Sequence, residues 1–250
     1  MALKTRFKED NLIEAGVDEA GRGCLWGPIY AGAVIWAPED EWTDEHREIA
    51  PQIKDSKKLT AKKRQHVNKV IQSLAIDFGT GSVSAKEIDD NGMTYANRMA
   101  FQRAISALTV VPARILVDGT LPLLNDQMTG LGIDEQETIV DGDASYLPIA
   151  AASIIAKEAH DEVVQKWIAD EPSLQTNYGL ASGKGYGTKK HRDGILEHGK
   201  HAEHRNLFLR KLLGTVVNVS NTFVTPSQQR QTQTRLLQEQ LKSECLITDD

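Results

Sequence analysis

Gly16-Val17-Asp18-Glu19-Ala20-Gly21-Arg22-Gly23 sets two adjacent carboxylates at the end of an expected strand and follows them with an arginine flanked by glycines. Carboxylates at a strand end are costly to bury unless they are paired or hold a cation. Read alone, the stretch also suits a turn with a local ion pair. Two further acids shift that balance. Asp118 follows Ile115-Leu116-Val117 and precedes Gly119, repeating the order of strand, acid and glycine. Asp141 and Asp143 bracket Gly142 after another expected strand around Ile139–Val140, and the residues alone do not choose between them. If these strands are neighbours in one sheet, three chain ends bring carboxylates to a single edge. All-oxygen donors of that kind suit Mg²⁺ or Mn²⁺, and two such ions can stabilise the attacking and leaving oxygens of a phosphodiester. Consecutive strand residues point to opposite faces, so Asp18 and Glu19 share a site only if the strand twists or ends there.

Working outward, Glu14–Val17 leads into the Gly-rich turn and Pro28–Ala37 reads as a buried strand, so the two form a hairpin. Thr60 is an expected N-cap for a helix to Leu74, and a strand follows over Phe78–Val83. Ser84 and Glu87 have the spacing of a capping box, and a second helix is expected over Tyr95–Leu108. Ala113–Val117 reads as strand, and Leu147–Ala169 as a long helix with an alanine-rich first half. Helices are also expected over Thr188–His198 and Ala202–Leu213. Strands interleaved with helices indicate an α/β domain. From Thr215 the composition turns to Asn, Ser, Thr and Gln. The expected division is therefore a catalytic domain over residues 1–214 and a polar tail over 215–250, with one loosely docked helix over Gln228–Lys242.

The chain has 250 residues, is 40% hydrophobic and 26% charged, and carries a net charge of −6, which argues against a protein that clings to polyanions over its whole surface. Lys184–Lys211 is the local exception, with eight Lys or Arg against three Asp or Glu and four of the seven histidines. Cys24 and Cys245 are too few for a disulfide framework or a cysteine-rich zinc site. No apolar run approaches the ~20 residues of a membrane span, and no signal-type apolar region follows Met1, so a cytoplasmic protein without membrane contact is expected. No Gly-x-x-x-x-Gly-Lys-Ser/Thr loop is present, which removes the corresponding nucleotide-binding reading.

Six separated motifs in order resemble the type 2 ribonuclease H family (ribonuclease HII). They are the stretch from Gly16, Asp-Ser-Lys-Lys-Leu from Asp55, Val-Asp-Gly from Val117, Gly-Asp from Gly142, Ala-Ala-Ser-Ile-Ile-Ala-Lys from Ala151 and Lys-Gly-Tyr-Gly-Thr from Lys184. The resemblance implies a ribonuclease H-like fold, a mixed central sheet flanked by helices with a helical C-terminal part. It implies hydrolysis of the RNA strand of RNA–DNA hybrids and cutting 5′ to ribonucleotides embedded in duplex DNA, leaving a 3′-hydroxyl and a 5′-phosphate. It assigns metal binding to Asp18, Glu19, Asp118 and Asp143, leaving Asp141 a bystander. By the same likeness Gly21, Arg22 and Gly23 read the ribose 2′-hydroxyl and adjoining backbone, and Tyr186 stacks on the sugar at the RNA-to-DNA junction. Lys184 and Arg22 are expected at phosphates, with Ser153 and Lys157 supporting the site.

Two positions depart from the family pattern: Cys24 stands where the turn usually continues with proline, and Gly183 where many members carry histidine. Neither removes a metal ligand. Two other readings compete, a metal nuclease of the same fold with a different substrate and a non-catalytic binder of hybrid duplexes. The four retained acids argue against the binder, because uncompensated carboxylates repel phosphate. A monomer is the expected state.

Overall fold

β1 (Glu14–Ala20) and β2 (Ile29–Ile35) pair antiparallel, with Val17 opposite Ala33 and Asp18 opposite Gly32, so the expected hairpin stands. The computed structural model describes residues 3–54 and 56–214. The chain divides into two units, Met1–Leu212 and Leu213–Asp250, and the architecture below is that of the first.

The hairpin forms the middle of a five-stranded sheet completed by β3 (Asp77–Val83), β4 (Arg114–Asp118) and β5 (Glu135–Ile139) in the order β3-β2-β1-β4-β5. β3 joins antiparallel to β2, whereas β4 and β5 run parallel to β1. The sheet is mixed, as the resemblance implied.

The helices among the described residues are α1 (Asp44–Ile49), α2 (Ala61–Leu74), α3 (Ala85–Asn91), α4 (Met93–Ser106), α5 (Asn125–Leu131) and α6 (Leu147–Asp170). They continue with α7 (Ser173–Tyr178), α8 (Leu180–Gly183), α9 (Lys189–His198) and α10 (Asn206–Leu209). Local signals account for several starts. Thr60 Oγ1 accepts from Lys63 N at 3.4 Å to open α2. The capping box between Ser84 and Glu87 opens α3, with the Glu87 carboxylate returning to Ser84 N at 2.9 Å.

Alternation along β1 decides the layers. Ala15 and Val17 are fully buried in a cluster with Ile29, Ala31 and the α4 residues Phe101 and Ala104. On the opposite face, Val34 packs with Val67 and Ile71 of α2 and with Ala151 and Ile155 of α6. Each large apolar side chain so buried contributes roughly 1.5–3 kcal/mol. α6 lies unusually near the sheet. A Cβ added to Gly16 would stand 2.2 Å from the Pro148 carbonyl carbon, and one added to Gly32 would stand 2.5 Å from Ala152 O.

Two expectations change. The strand placed at Ile139–Val140 is instead β5, Glu135–Ile139, a polar edge strand whose Glu-Gln-Glu-Thr run gave no apolar period; Val140 lies beyond it and is 65% exposed. The helix expected over Ala202–Leu213 shrinks to the single turn α10. His204 bridges Trp26, Arg205 N donates to Leu25 O at 2.8 Å, and these strand-like contacts hold the preceding residues extended. The expected helix over Gln228–Lys242 lies outside the described residues. No helix among the described residues is long and apolar enough to cross a membrane.

Candidate active site

Parallel register sets Val17 beside Val117, so Asp18 and Asp118 leave neighbouring strands at the same level. β1 runs three residues past Val17 to Ala20, so both acids of the Asp18-Glu19 pair lie within the strand. They accordingly face different helical layers. Asp18 meets Ser153 of α6, and Glu19 meets the amide of Asn97 on α4. The twist that the sequence demanded is replaced by convergence at the sheet edge, where each acid feels the charge of Asp118.

Asp18 is 6% exposed, and its Oδ1 accepts from Glu19 N at 2.6 Å. Burial, then the negative charges of Glu19 and Asp118, push its carboxyl well above the usual carboxylate range. Glu19 is raised by burial as well, against a partial offset from Arg22, whose Nη1 stands 3.7 Å from its Oε1. Asp118 Oδ1 accepts from Gly142 N at 2.8 Å and from Asp143 N at 3.4 Å, tying the β4 end to the 3₁₀ turn Gly142–Ala144. Asp143 is buried in that turn, while Asp141 precedes it in left-handed backbone, φ 52°. All four expected acids thus come from three adjoining chain ends. Among the described residues no three His, Cys, Asp or Glu side chains form a ready coordination set. The donors are nevertheless of the right chemistry for a hard divalent ion, all carboxylate oxygens, with Asp18 held against like charge that a cation would relieve.

The glycine-flanked arginine forms the rim. Gly21 has φ +82°, and a Cβ there would stand 2.5 Å from the His160 ring, so both the backbone angle and the space require glycine. Arg22 extends outward with its side chain 55% exposed, and Gly23 faces the Tyr186 ring. Tyr186 is 37% exposed, and Lys157 Nζ lies 5.3 Å from its ring centroid while held by Asp161 at 2.7 Å. Cys24 and Tyr186 form an antiparallel bridge, and Leu25 N donates to Gly185 O at 2.8 Å. The turn and the Lys-Gly-Tyr segment are therefore one unit. Lys184 adopts φ 48°, and its carbonyl accepts from Cys24 Sγ at 3.3 Å. Cys24 is fully buried with its thiol pushed up to about 12 by burial, so it serves packing there and is not poised as a nucleophile. Gly183 is buried in α8.

Ser153 Oγ and Ser56 Oγ share a hydrogen bond at 2.9 Å, which brings the Asp-Ser-Lys-Lys-Leu motif under the acids. Asp55 itself lies outside the described residues. Below, Arg64 of α2 pairs with Glu158 at 2.5 Å and Asp161 at 2.9 Å, clamping α2 to α6.

Sequence reasoning missed two contributors. Asn97 is 1% exposed in mid-helix, where an apolar stripe hides it. Arg205 is fully buried, and its guanidinium holds the carbonyls of Gly27 at 2.8 Å and Arg22 at 3.0 Å. Its position within a basic segment gave no sign of burial.

The Ribonuclease HII family model matches residues 15–212, spanning every element just described from β1 to α10. The chain belongs to the ribonuclease HII family. It is 41% identical over 207 residues to the ribonuclease HII of Synechococcus sp. (strain CC9311), covering 83% of this chain and 98% of that protein. It is 40% identical over 208 residues to the ribonuclease HII of Bacteroides thetaiotaomicron, covering 83% and 94%. The crystal structure of the ribonuclease H2 from Pyrococcus horikoshii OT3 superimposes with a TM-score of 0.60 at 28% identity, over 80% of this chain and 96% of that one. As a ribonuclease HII, the chain is a hydrolytic endoribonuclease of the ribonuclease H type.

Proposed function

We propose that the chain cuts the RNA strand of RNA–DNA hybrids and cuts 5′ to single ribonucleotides embedded in duplex DNA, leaving 3′-hydroxyl and 5′-phosphate ends. The observation that carries this reading is the Asp18 carboxyl, buried beside Glu19 and Asp118 on one sheet edge. Asp18, Glu19, Asp118 and Asp143 would hold Mg²⁺ or Mn²⁺. When bound, such ions activate water and neutralise charge on the scissile phosphate.

The remaining work falls to the chain's own groups. Ser153 and Asn97 fix the two strand acids from opposite helical layers. Gly21, Arg22 and Gly23 offer backbone that can approach a ribose closely, and the 2′-hydroxyl is the group that distinguishes RNA from DNA at such a site. Tyr186 packs its ring on the sugar, backed by Lys157. Arg22 and Lys184 meet phosphates. Removal of ribonucleotides from DNA in the cytoplasm, by a monomer whose catalytic domain is residues 1–214, completes the proposal.

A labelled duplex carrying one ribonucleotide, incubated with and without Mg²⁺ or Mn²⁺, tests it beside an all-DNA duplex and the Asp118→Asn variant. Metal-dependent cutting 5′ to the ribonucleotide is expected only in the first. Cutting of the all-DNA duplex would point to another nuclease of this fold, and a bound but intact duplex to a non-catalytic binder.

A further inference from the structure

Beside the acids opens a cavity of about 710 Å³ in whose lining only Asp143 has a role assigned above. Asp143 lines one side. The floor is apolar, built from Ile53 and Leu147, which are buried, with Trp42 at its edge. Trp42 is held in place: its Nε1 donates to Ala37 O at 2.8 Å, its ring lies nearly parallel to that of His46 at 16°, and its carbonyl accepts from Arg47 Nη1. The rim carries Arg47, Lys54 and Lys58, all exposed. Glu39 stands opposite them, its Oε1 accepting from Thr5 Oγ1 at 3.0 Å.

A flat aromatic and an apolar floor topped by three cations matches a nucleotide unit, with base or sugar on the floor and phosphate at the rim. The charge contrast with the adjoining acidic edge argues for the occupant. Cations in a chain of net charge −6 stand where a polyanion must pass to reach Asp143. Because Asp143 belongs to both the cavity and the candidate metal site, the strand within reach is the one being cut, a nucleotide or two from the scissile phosphate.

We infer that this cavity is a subsite for the strand being cut, holding a flanking nucleotide through Trp42, Arg47 and Lys54. The inference rests on the ribonuclease reading above and adds to it a binding surface on α1 and the turn after it. It also predicts that affinity depends on strand length on one side of the cut.

The test uses the full chain in an Asp118→Asn background, and fluorescence anisotropy with a labelled duplex carrying one ribonucleotide. Removing two of the three rim cations (Arg47→Gln with Lys54→Gln) is expected to weaken binding on the order of tenfold and to lower the salt slope by about two. Trp42→Ala is expected to weaken binding on the order of tenfold without changing the slope. The charge-keeping pair Arg47→Lys with Lys54→Arg should restore affinity, which separates lost contact from lost fold. Shortening the cut strand from one end should erase the difference between the parent and the charge-removed protein, whereas shortening the complementary strand should not.

Equal affinity and slope across these proteins would overturn the subsite, as would a difference that survives every shortening of the cut strand or follows the complementary strand instead. Cleavage of the same duplex by the unsubstituted chain reports separately on the ribonuclease reading.

Discussion

Arg205 donates from Nη1 to the carbonyl of Arg22 at 3.0 Å, so a residue from the C-terminal helical part fixes the turn expected to read the ribose. The same guanidinium holds Gly27 O, and its Nη2 is buried without a hydrogen-bond partner. A planar fork serves two carbonyls at once, which an ammonium cannot do in the same geometry. Arg205→Lys is expected to lower stability by roughly 2–4 kcal/mol in denaturant unfolding. It should also weaken discrimination between a ribonucleotide-containing and an all-DNA duplex. An unchanged unfolding midpoint would show that the turn stands without this clamp.

Asn97 offers a second separation of stability from function. Its Oδ1 is buried and unpartnered, whereas its amide addresses Glu19. Asn97→Leu removes the orphaned Oδ1, which favours folding, and also takes a donor from the buried Glu19, which opposes it, so the two effects offset each other. Asn97→Leu should therefore leave the melting temperature nearly unchanged and raise the Mg²⁺ concentration for half-maximal cleavage by about tenfold, the scale of losses when a metal ligand's supporting partner is removed. A parallel titration of Mn²⁺-induced thermal stabilisation should move in the same direction. If neither titration moves, Asn97 is only core.

Asp18 should make the protein less stable than it could be. Its folded-state carboxyl is raised above the unfolded value of 3.8, so its contribution is full below that pH and is lost as pH rises through the folded value. At neutral pH Asp18→Asn is expected to raise the melting temperature in the presence of a chelator while abolishing cleavage. Mg²⁺ should then stabilise the parent far more than the variant. A variant that melts below the parent in chelator would contradict this assignment.

A pH response of opposite sign belongs to the histidines behind Tyr186. His191 Nδ1 donates to Tyr186 O at 2.9 Å, which leaves its Nε2 to accept from His204 Nε2 at 2.9 Å, and His204 Nδ1 accepts from His201 N at 2.7 Å. That chain of bonds has one neutral tautomer at each ring, and an added proton has no acceptor. Burial lowers both rings, His204 to about 4 with help from the charge of His191. The unfolded chain thus binds more protons as pH falls below 6.5, and stability should drop on the order of 2 kcal/mol between pH 6.5 and 4. His204→Gln should flatten the curve of unfolding midpoint against pH; an equally steep curve would place the titrating groups elsewhere.

How much of this was legible in the sequence follows the physics of each signal. The Glu14–Val17 run before its Gly-rich turn, the Thr60 cap and the Ser84 capping box are local, and they marked β1, α2 and α3. The acids Asp18 and Asp118 were found because each interrupts an apolar run at its end. Choosing Asp143 over Asp141 needed the resemblance, because both flank the same glycine; in the turn Asp143 is buried and Asp141 stands in left-handed backbone. Contacts made across the chain left no trace. Asn97 lies 78 positions from Glu19 and Arg205 lies 183 from Arg22, so neither spacing carries a period. α1 escaped notice because its six residues are mostly charged, with only His46 and Ile49 buried.

The glycines under α6 bear on how the acidic edge keeps its dimensions. At Gly16 and Gly32 the helix rests on main chain, at separations where any Cβ would collide with the Pro148 carbonyl carbon or Ala152 O. The spacing between Asp18 and Ser153 is therefore gauged by peptide units, whose size no substitution alters, and not by interlocking side chains whose volumes drift over generations. A core can be repacked around such a gauge while the working edge keeps its measure.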